Sequence, residues 1–195
     1  MKNIKVFLII LFIQTSTVIA DSKSEFKRIV VGNQNAKITI IAYESLTCSH
    51  CANFHINVYP ELQKEYLDTG LAKIEFRHFP LDLAALNAAK ISQCKNDGNK
   101  KILNSLYLNQ SKWVKGKTID EVNQNLKIFL RTQDFNLNFT KCISDKNLEE
   151  FILNDRIEGV KKYKVNATPT IIINGKKFEK TLNYKNLKKT LEKLI

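Results

Sequence analysis

Two cysteines spaced three apart, Cys48 and Cys51, stand where one backbone periodicity gives way to another. Upstream, Lys37-Ile38-Thr39-Ile40-Ile41-Ala42-Tyr43 is rich in β-branched residues and nearly continuous in apolar character, the pattern of a buried central strand. Downstream, Cys51, Phe54, Val58, Leu62, Tyr66 and Leu67 recur at helical spacing, and Gly70 reads as a C-terminal cap. Leu71 to Phe79 reads as a second strand with Ile74 and Phe76 on one face. The spacing predicts a strand–helix–strand unit with Cys48-Ser49-His50-Cys51 at its first junction.

That junction suits redox chemistry. Two cysteines three apart at a helix start put both sulfurs on one side of the first turn. The first sulfur then faces unpaired backbone N–H groups and the positive end of the helix dipole. Both stabilise a thiolate, the species that attacks disulfides. On this reading Cys48 is the exposed nucleophile and Cys51 the buried resolving thiol. His50, between them, adds a hydrogen bond or a positive charge to the Cys48 sulfur. A CxxC also serves as half of a zinc site or as plain structural cysteines, but a structural zinc site needs four grouped ligands. Cys94 and Cys142 lie far downstream, each alone on an apparent helix. A copper-carrying role for Cys48, His50 and Cys51 lacks a nearby methionine, since Met1 is the only one in the chain. No metal or other cofactor is expected beyond the redox-active cysteine pair.

From about Asp82 to Val165 the pattern is helical, through Leu83/Leu86, Ile102/Leu103/Leu106, Val122/Leu126/Phe129/Leu130 and Leu148/Phe151/Ile152. Strand signals return at Thr170 to Ile173, followed by the hairpin dipeptide Asn174-Gly175 and by Lys177-Phe178-Glu179. An amphipathic helix from Tyr184 to Leu194 closes the pattern. The expected fold is α/β, with a core of residues 21–81 and 166–195 and a helical subdomain, 82–165, inserted into it. Just before the late strand stands Ala167-Thr168-Pro169-Thr170. Proline is tolerated at a strand start because its missing N–H is not needed there. The sharper expectation is a cis Thr168–Pro169 bond facing the cysteine pair, which frees the Thr168 backbone to pair with an extended substrate.

Residues 1–20 read differently from the rest. Lys2 and Lys5 precede the apolar run Val6 to Ile13, and the segment closes on Val18-Ile19-Ala20, the pattern of a secretory signal peptide cut after Ala20. Eight apolar residues fall well short of the roughly 18 needed to span a bilayer. Without that leader the chain keeps a net charge of +10. The lysines are spread along the chain with no nucleic-acid motif beside them, so they read mainly as solvated surface. Weaker attraction to anionic membrane surfaces or to acidic unfolded clients is compatible with them. An even cysteine count in an exported chain points to an oxidising compartment. The richness in Lys, Asn and Ile is associated with AT-rich bacterial coding, which makes that compartment the periplasm.

Taken together, the leader, the strand–CxxC–helix unit, the helical insertion and Thr-Pro before a hairpin and final helix resemble the DsbA family of periplasmic disulfide oxidoreductases. The resemblance runs from about Val30 to Leu194. It implies a thioredoxin-like fold with a helical insert and donation of a disulfide to newly exported, unfolded proteins. It also implies reoxidation by a quinone-linked membrane partner. Only about ten residues, Asp21 to Val30, separate leader and core, which favours a monomer over a dimeric isomerase; an isomerase or reductase with the same motif is the alternative. Two positions depart from the family pattern. Many relatives carry proline at Ser49, and many carry a buried acid at Ala42. Glu44 shares the strand face of Ala42 by alternation; it reads first as a surface carboxylate, with substitution for that acid in proton transfer near Cys51 as the second reading. With Cys48 and Cys51 assigned to the active site, Cys94 and Cys142 are expected to form a structural disulfide; two free thiols or a second redox centre are the other readings.

Overall fold

The computed structural model describes residues 26–195. The signal peptide expected over residues 1–20, with its cut after Ala20, lies outside them. The predicted unit is present. β2 (Ile38–Glu44) runs parallel to β3 (Ala72–His78), paired from Ile38↔Ala72 to Glu44↔His78. Between them lie the helices α1 (Ser49–Asn57) and α2 (Tyr59–Leu62) and a π-turn over Gln63–Leu67. Sequence spacing gave one continuous helix here. Pro60 breaks it, because a proline ring cannot follow the preceding turn without losing a backbone hydrogen bond, and Val58 leaves helical geometry.

The late elements complete the sheet. β4 (Thr170–Ile173) pairs antiparallel with β2, and β5 (Lys176–Lys177) pairs antiparallel with β4 across the Asn174-Gly175 turn. β5 is shorter than the strand read from Lys177-Phe178-Glu179. β1 (Ile29–Gly32), which the sequence reading did not assign, pairs antiparallel with β3, giving the order β1-β3-β2-β4-β5. Gly32 sits at φ +101°, and a Cβ there would meet the Ala72 carbonyl oxygen at 2.3 Å, so no other residue fits. β2 is central, with Ile38, Ile40 and Ala42 essentially inaccessible to solvent.

Residues 82–165 supply α3 (Leu83–Gln93), α4 (Lys101–Leu108), α5 (Gln110–Trp113), α6 (Ile119–Arg131), α7 (Phe139–Ser144) and α8 (Lys146–Tyr163). α4 packs on α1, and α8 packs on β3 and α3. Trp113, fully buried, donates its indole N–H to the Leu106 carbonyl at 2.9 Å. Asp155 on α8 is also buried; it accepts from Arg28, from Arg77 at 3.3 Å and from the His78 backbone N–H at 3.2 Å. Its carboxylate thereby fastens the last helix of this subdomain to the end of β3 and to the residue before β1. Cys94, the C-cap of α3, is bonded to Cys142 on α7 across 48 residues. α9 (Tyr184–Leu191) packs against α2 and buries Leu187 and Leu191.

Candidate active site

The site forms where β2 ends. Its final residues, Ala42, Tyr43 and Glu44, are all buried, and the turn Ser45-Leu46-Thr47 delivers the chain to α1. Cys48 is the N-cap of that helix, with φ −78° and ψ 119° and no side-chain cap. Its carbonyl accepts from the Cys51 N–H at 3.1 Å and the Ala52 N–H at 3.2 Å. The sulfur therefore lies at the end of α1 where backbone donors lack helical partners. Cys48 is partly exposed and Cys51 fully buried, and both are free thiols.

The Cys48 thiol is pulled down to about 5. The largest cause is the hydrogen bond from the Cys51 thiol; burial opposes it, and the Thr168 side chain and the backbone N–H groups of Cys51 and His50 add to it. Cys51 is shifted the other way, well above the ordinary thiol range, first by burial, then by its hydrogen bond to Cys48 and by the negative charge of Glu44. The pair is split into one acidic and one basic sulfur. His50 lies exposed beside Cys48, and its contribution in this geometry is the backbone N–H.

The cis-proline loop completes the site. The Thr168–Pro169 peptide bond is cis, and β4 begins at the next residue, Thr170, opposite Tyr43. That register brings the loop to Cys48, whose Sγ lies 3.3 Å from the Thr168 carbonyl oxygen. The Thr168 hydroxyl is buried with no other partner, so it is available to the sulfur.

Three residues at the site were not assigned to it from sequence. Glu44 is a correction. The reading as a surface carboxylate is overturned, because the end of β2 is covered and Glu44 is only 3 % exposed. Its Oε2 lies 2.9 Å from Nε2 of His55, itself buried and stacked on Tyr107 with ring centroids 4.0 Å apart. Burial pushes the Glu44 carboxyl up, and His55 partly offsets this. His55 follows Cys51 by four residues, one helical turn, so spacing alone put it on the same face. The third residue is Gln110 on α5, whose Nε2 donates to the carbonyls of Leu46 at 2.8 Å and Cys48 at 3.0 Å. No local signal marks Gln110, since the contact spans 62 residues. With Thr47 Oγ1 donating to Asp82 at 2.8 Å, it ties the turn before Cys48 to the helical subdomain.

The Glu44–His55 pair supports a stability prediction. His55→Leu leaves a buried carboxyl with neither oxygen paired and should cost about 3 kcal/mol in urea unfolding. The double variant Glu44→Leu/His55→Leu should recover most of that loss, because the stranded carboxyl is removed as well.

Among the described residues no three His, Cys, Asp or Glu side chains gather as metal ligands, and no helix is long and apolar enough to cross a membrane.

Comparison with known proteins agrees with this geometry. The thioredoxin family model matches residues 24–193. A putative protein-disulfide oxidoreductase of Rickettsia bellii is 30% identical over 149 residues, which cover 75% of this chain and 56% of that protein. The chain thus spans little more than half the length of that relative. Disulfide bond formation protein D of Bacillus subtilis is 25% identical over 174 residues, covering 84% of this chain and 75% of that one. Among solved structures, alpha-DsbA1 of Wolbachia pipientis superposes with a TM-score of 0.75 at 29% identity, over 86% of this chain and 90% of that one. The fold that carries the cysteine pair, the cis-proline loop and the helical insertion thus superposes on that of alpha-DsbA1, and the chain belongs to the thioredoxin family.

Proposed function

We propose that this protein donates disulfides to exported proteins, with Cys48 as the sulfur that clients meet and Cys51 as the resolving thiol. The observation that carries this reading is the opposite shift of the two sulfurs. In the oxidised protein a client thiolate attacks Cys48 Sγ and the Cys48–Cys51 bond breaks. Cys51 leaves with the electron pair and takes up a proton, which its raised affinity favours. The client's second thiolate then attacks the client sulfur of the mixed disulfide and expels Cys48 as a thiolate. The client has lost two electrons and gained a disulfide; the protein has gained two and become a dithiol.

Cys48 is the better leaving group of the two by a wide margin, so the mixed disulfide resolves toward an oxidised client. Stabilising the reduced form makes the disulfide a strong oxidant. The partly exposed Thr168 and Pro169 border the Cys48 sulfur, and their backbone is where an extended client segment pairs. His50, exposed at the same edge, supplies a further donor once its imidazole turns to the sulfur. An exported, periplasmic location and a membrane oxidase that restores the disulfide complete the reading. They rest on the leader-like residues 1–20 and on the DsbA-like relatives.

The test is the equilibrium potential in glutathione buffers. The expected value lies well above that of thioredoxin, about −270 mV. A potential at or below that value would reassign the protein as a reductase.

A further inference from the structure

Lysines and exposed apolar side chains meet at the end of the sheet opposite the cysteines. Residues 174–195 hold seven lysines against two glutamates, net +5 within a chain of net +12. They form the β4–β5 turn, the edge strand and α9. The turn is pinned to the start of β2: Thr39 N–H donates to Asn174 Oδ1 at 2.7 Å, and Asn174 N–H to the Thr39 carbonyl at 2.8 Å. β2 is seven residues long, so this end of the sheet lies roughly 20 Å from the end that carries Cys48.

Exposed apolar side chains meet the lysines there. Lys176, Lys177, Lys180 and Lys193 line a recess that also contains Leu194. Leu194 in turn lines the adjoining recess with Lys37, Leu71 and Ile195. Leu71 and Leu194 are each 40% exposed, and Ile195 is 69% exposed. Protection of an edge strand against pairing with another chain accounts for Lys176 and Lys177. It does not account for Lys180 and Lys193, nor for solvent-facing leucine and isoleucine among them. Of the seven lysines, Lys188 is committed to Glu65 at 2.8 Å, and Lys177 lies 3.9 Å from Glu179.

From this we propose that the end of the sheet opposite the cysteines docks on an anionic phospholipid surface, with Leu71, Leu194 and Ile195 entering the interface and the surrounding lysines meeting the headgroups. Clustered lysines near an anionic bilayer attract it additively, and a few apolar side chains at their centre add burial. Docked in this way, the protein turns Cys48 and the Thr168–Pro169 loop away from the bilayer. Docking is independent of the redox reading, because none of these residues belongs to the active site.

The experiment is vesicle flotation of protein lacking residues 1–20, which lie outside the described fold. Phosphatidylcholine vesicles with and without phosphatidylglycerol serve as probes. Uptake is expected only on the phosphatidylglycerol vesicles and should be lost near 0.5 M salt, where screening shortens to roughly 4 Å. Lys176→Glu/Lys177→Glu/Lys193→Glu should weaken partition by at least about tenfold. Lys161→Glu/Lys162→Glu/Lys164→Glu, the same change in net charge on α8 and its C-cap, should weaken it far less. Circular dichroism and unchanged Cys48 thiolate absorbance establish that both variants are folded. Equal loss in the two variants, equal uptake on both vesicle types, or binding to soluble acidic polypeptide without uptake on vesicles would overturn the proposal.

Discussion

Cys48→Ala should reduce disulfide transfer to the uncatalysed background, whereas Cys51→Ala should yield a protein that accumulates mixed disulfides with its clients. The asymmetry follows from where the two sulfurs sit. Cys48 is partly exposed at the head of α1 and meets both the Cys51 thiol and the free N–H groups of the first turn. Cys51 is inaccessible, and its proton is held by burial and by the charge of Glu44. Without Cys48 nothing within a client's reach forms the mixed disulfide. Without Cys51 the mixed disulfide forms but loses its intramolecular escape. Non-reducing electrophoresis of extracts shows the difference as client adducts present with Cys51→Ala and absent with Cys48→Ala. Adducts on Cys51 in the Cys48→Ala protein would reverse the roles assigned here.

The second large effect concerns the helical subdomain. Removing both Cys94 and Cys142 by substitution with alanine should destabilise the protein by about 4 kcal/mol, the value for a closed loop of this length in the chain-entropy picture. For a chain of this size that lowers the thermal midpoint by roughly 10 °C. Cys142 is buried, and the bond holds the end of α3 against α7, away from the thiol pair. Disulfide transfer at low temperature should therefore survive. A double variant with unchanged stability and abolished transfer would make this bond a second redox centre.

The parts of the fold legible in the sequence were those whose determinants are local. The β-branched run at Lys37 to Tyr43, the CxxC, the Asn174-Gly175 turn and the Thr-Pro step each carry their structural consequence within a few residues. β1 was missed because Ile29-Val30-Val31 is short and ends on a glycine whose conformation is set by contact with Ala72. The break at Val58 lay behind an apolar spacing that continued through Pro60, so periodicity outweighed the proline signal. Glu44 was misread because alternation gives the face of a residue but not what covers that face. The covering residue, His55, arrives from the far side of the CxxC, and Tyr107 from the helical subdomain. Gln110 marks the same limit, since its role is fixed by tertiary contact alone.

Linkage between charge and folding follows from the same split. The Cys48 thiol titrates lower in the folded, reduced protein than in the unfolded chain, so it stabilises the reduced fold. That contribution is fully present above the unfolded thiol value of about 8.5 and fades as pH falls toward the folded value. The reduced protein should thus lose its stability advantage over the oxidised protein as the medium is acidified.

The most direct test is a pH titration of thiolate absorbance in the fully reduced protein. One thiol should ionise near pH 5 while Cys51 stays protonated through the neutral and mildly alkaline range. A single step at the ordinary cysteine value, with no ionisation below neutrality, would contradict the account at its centre.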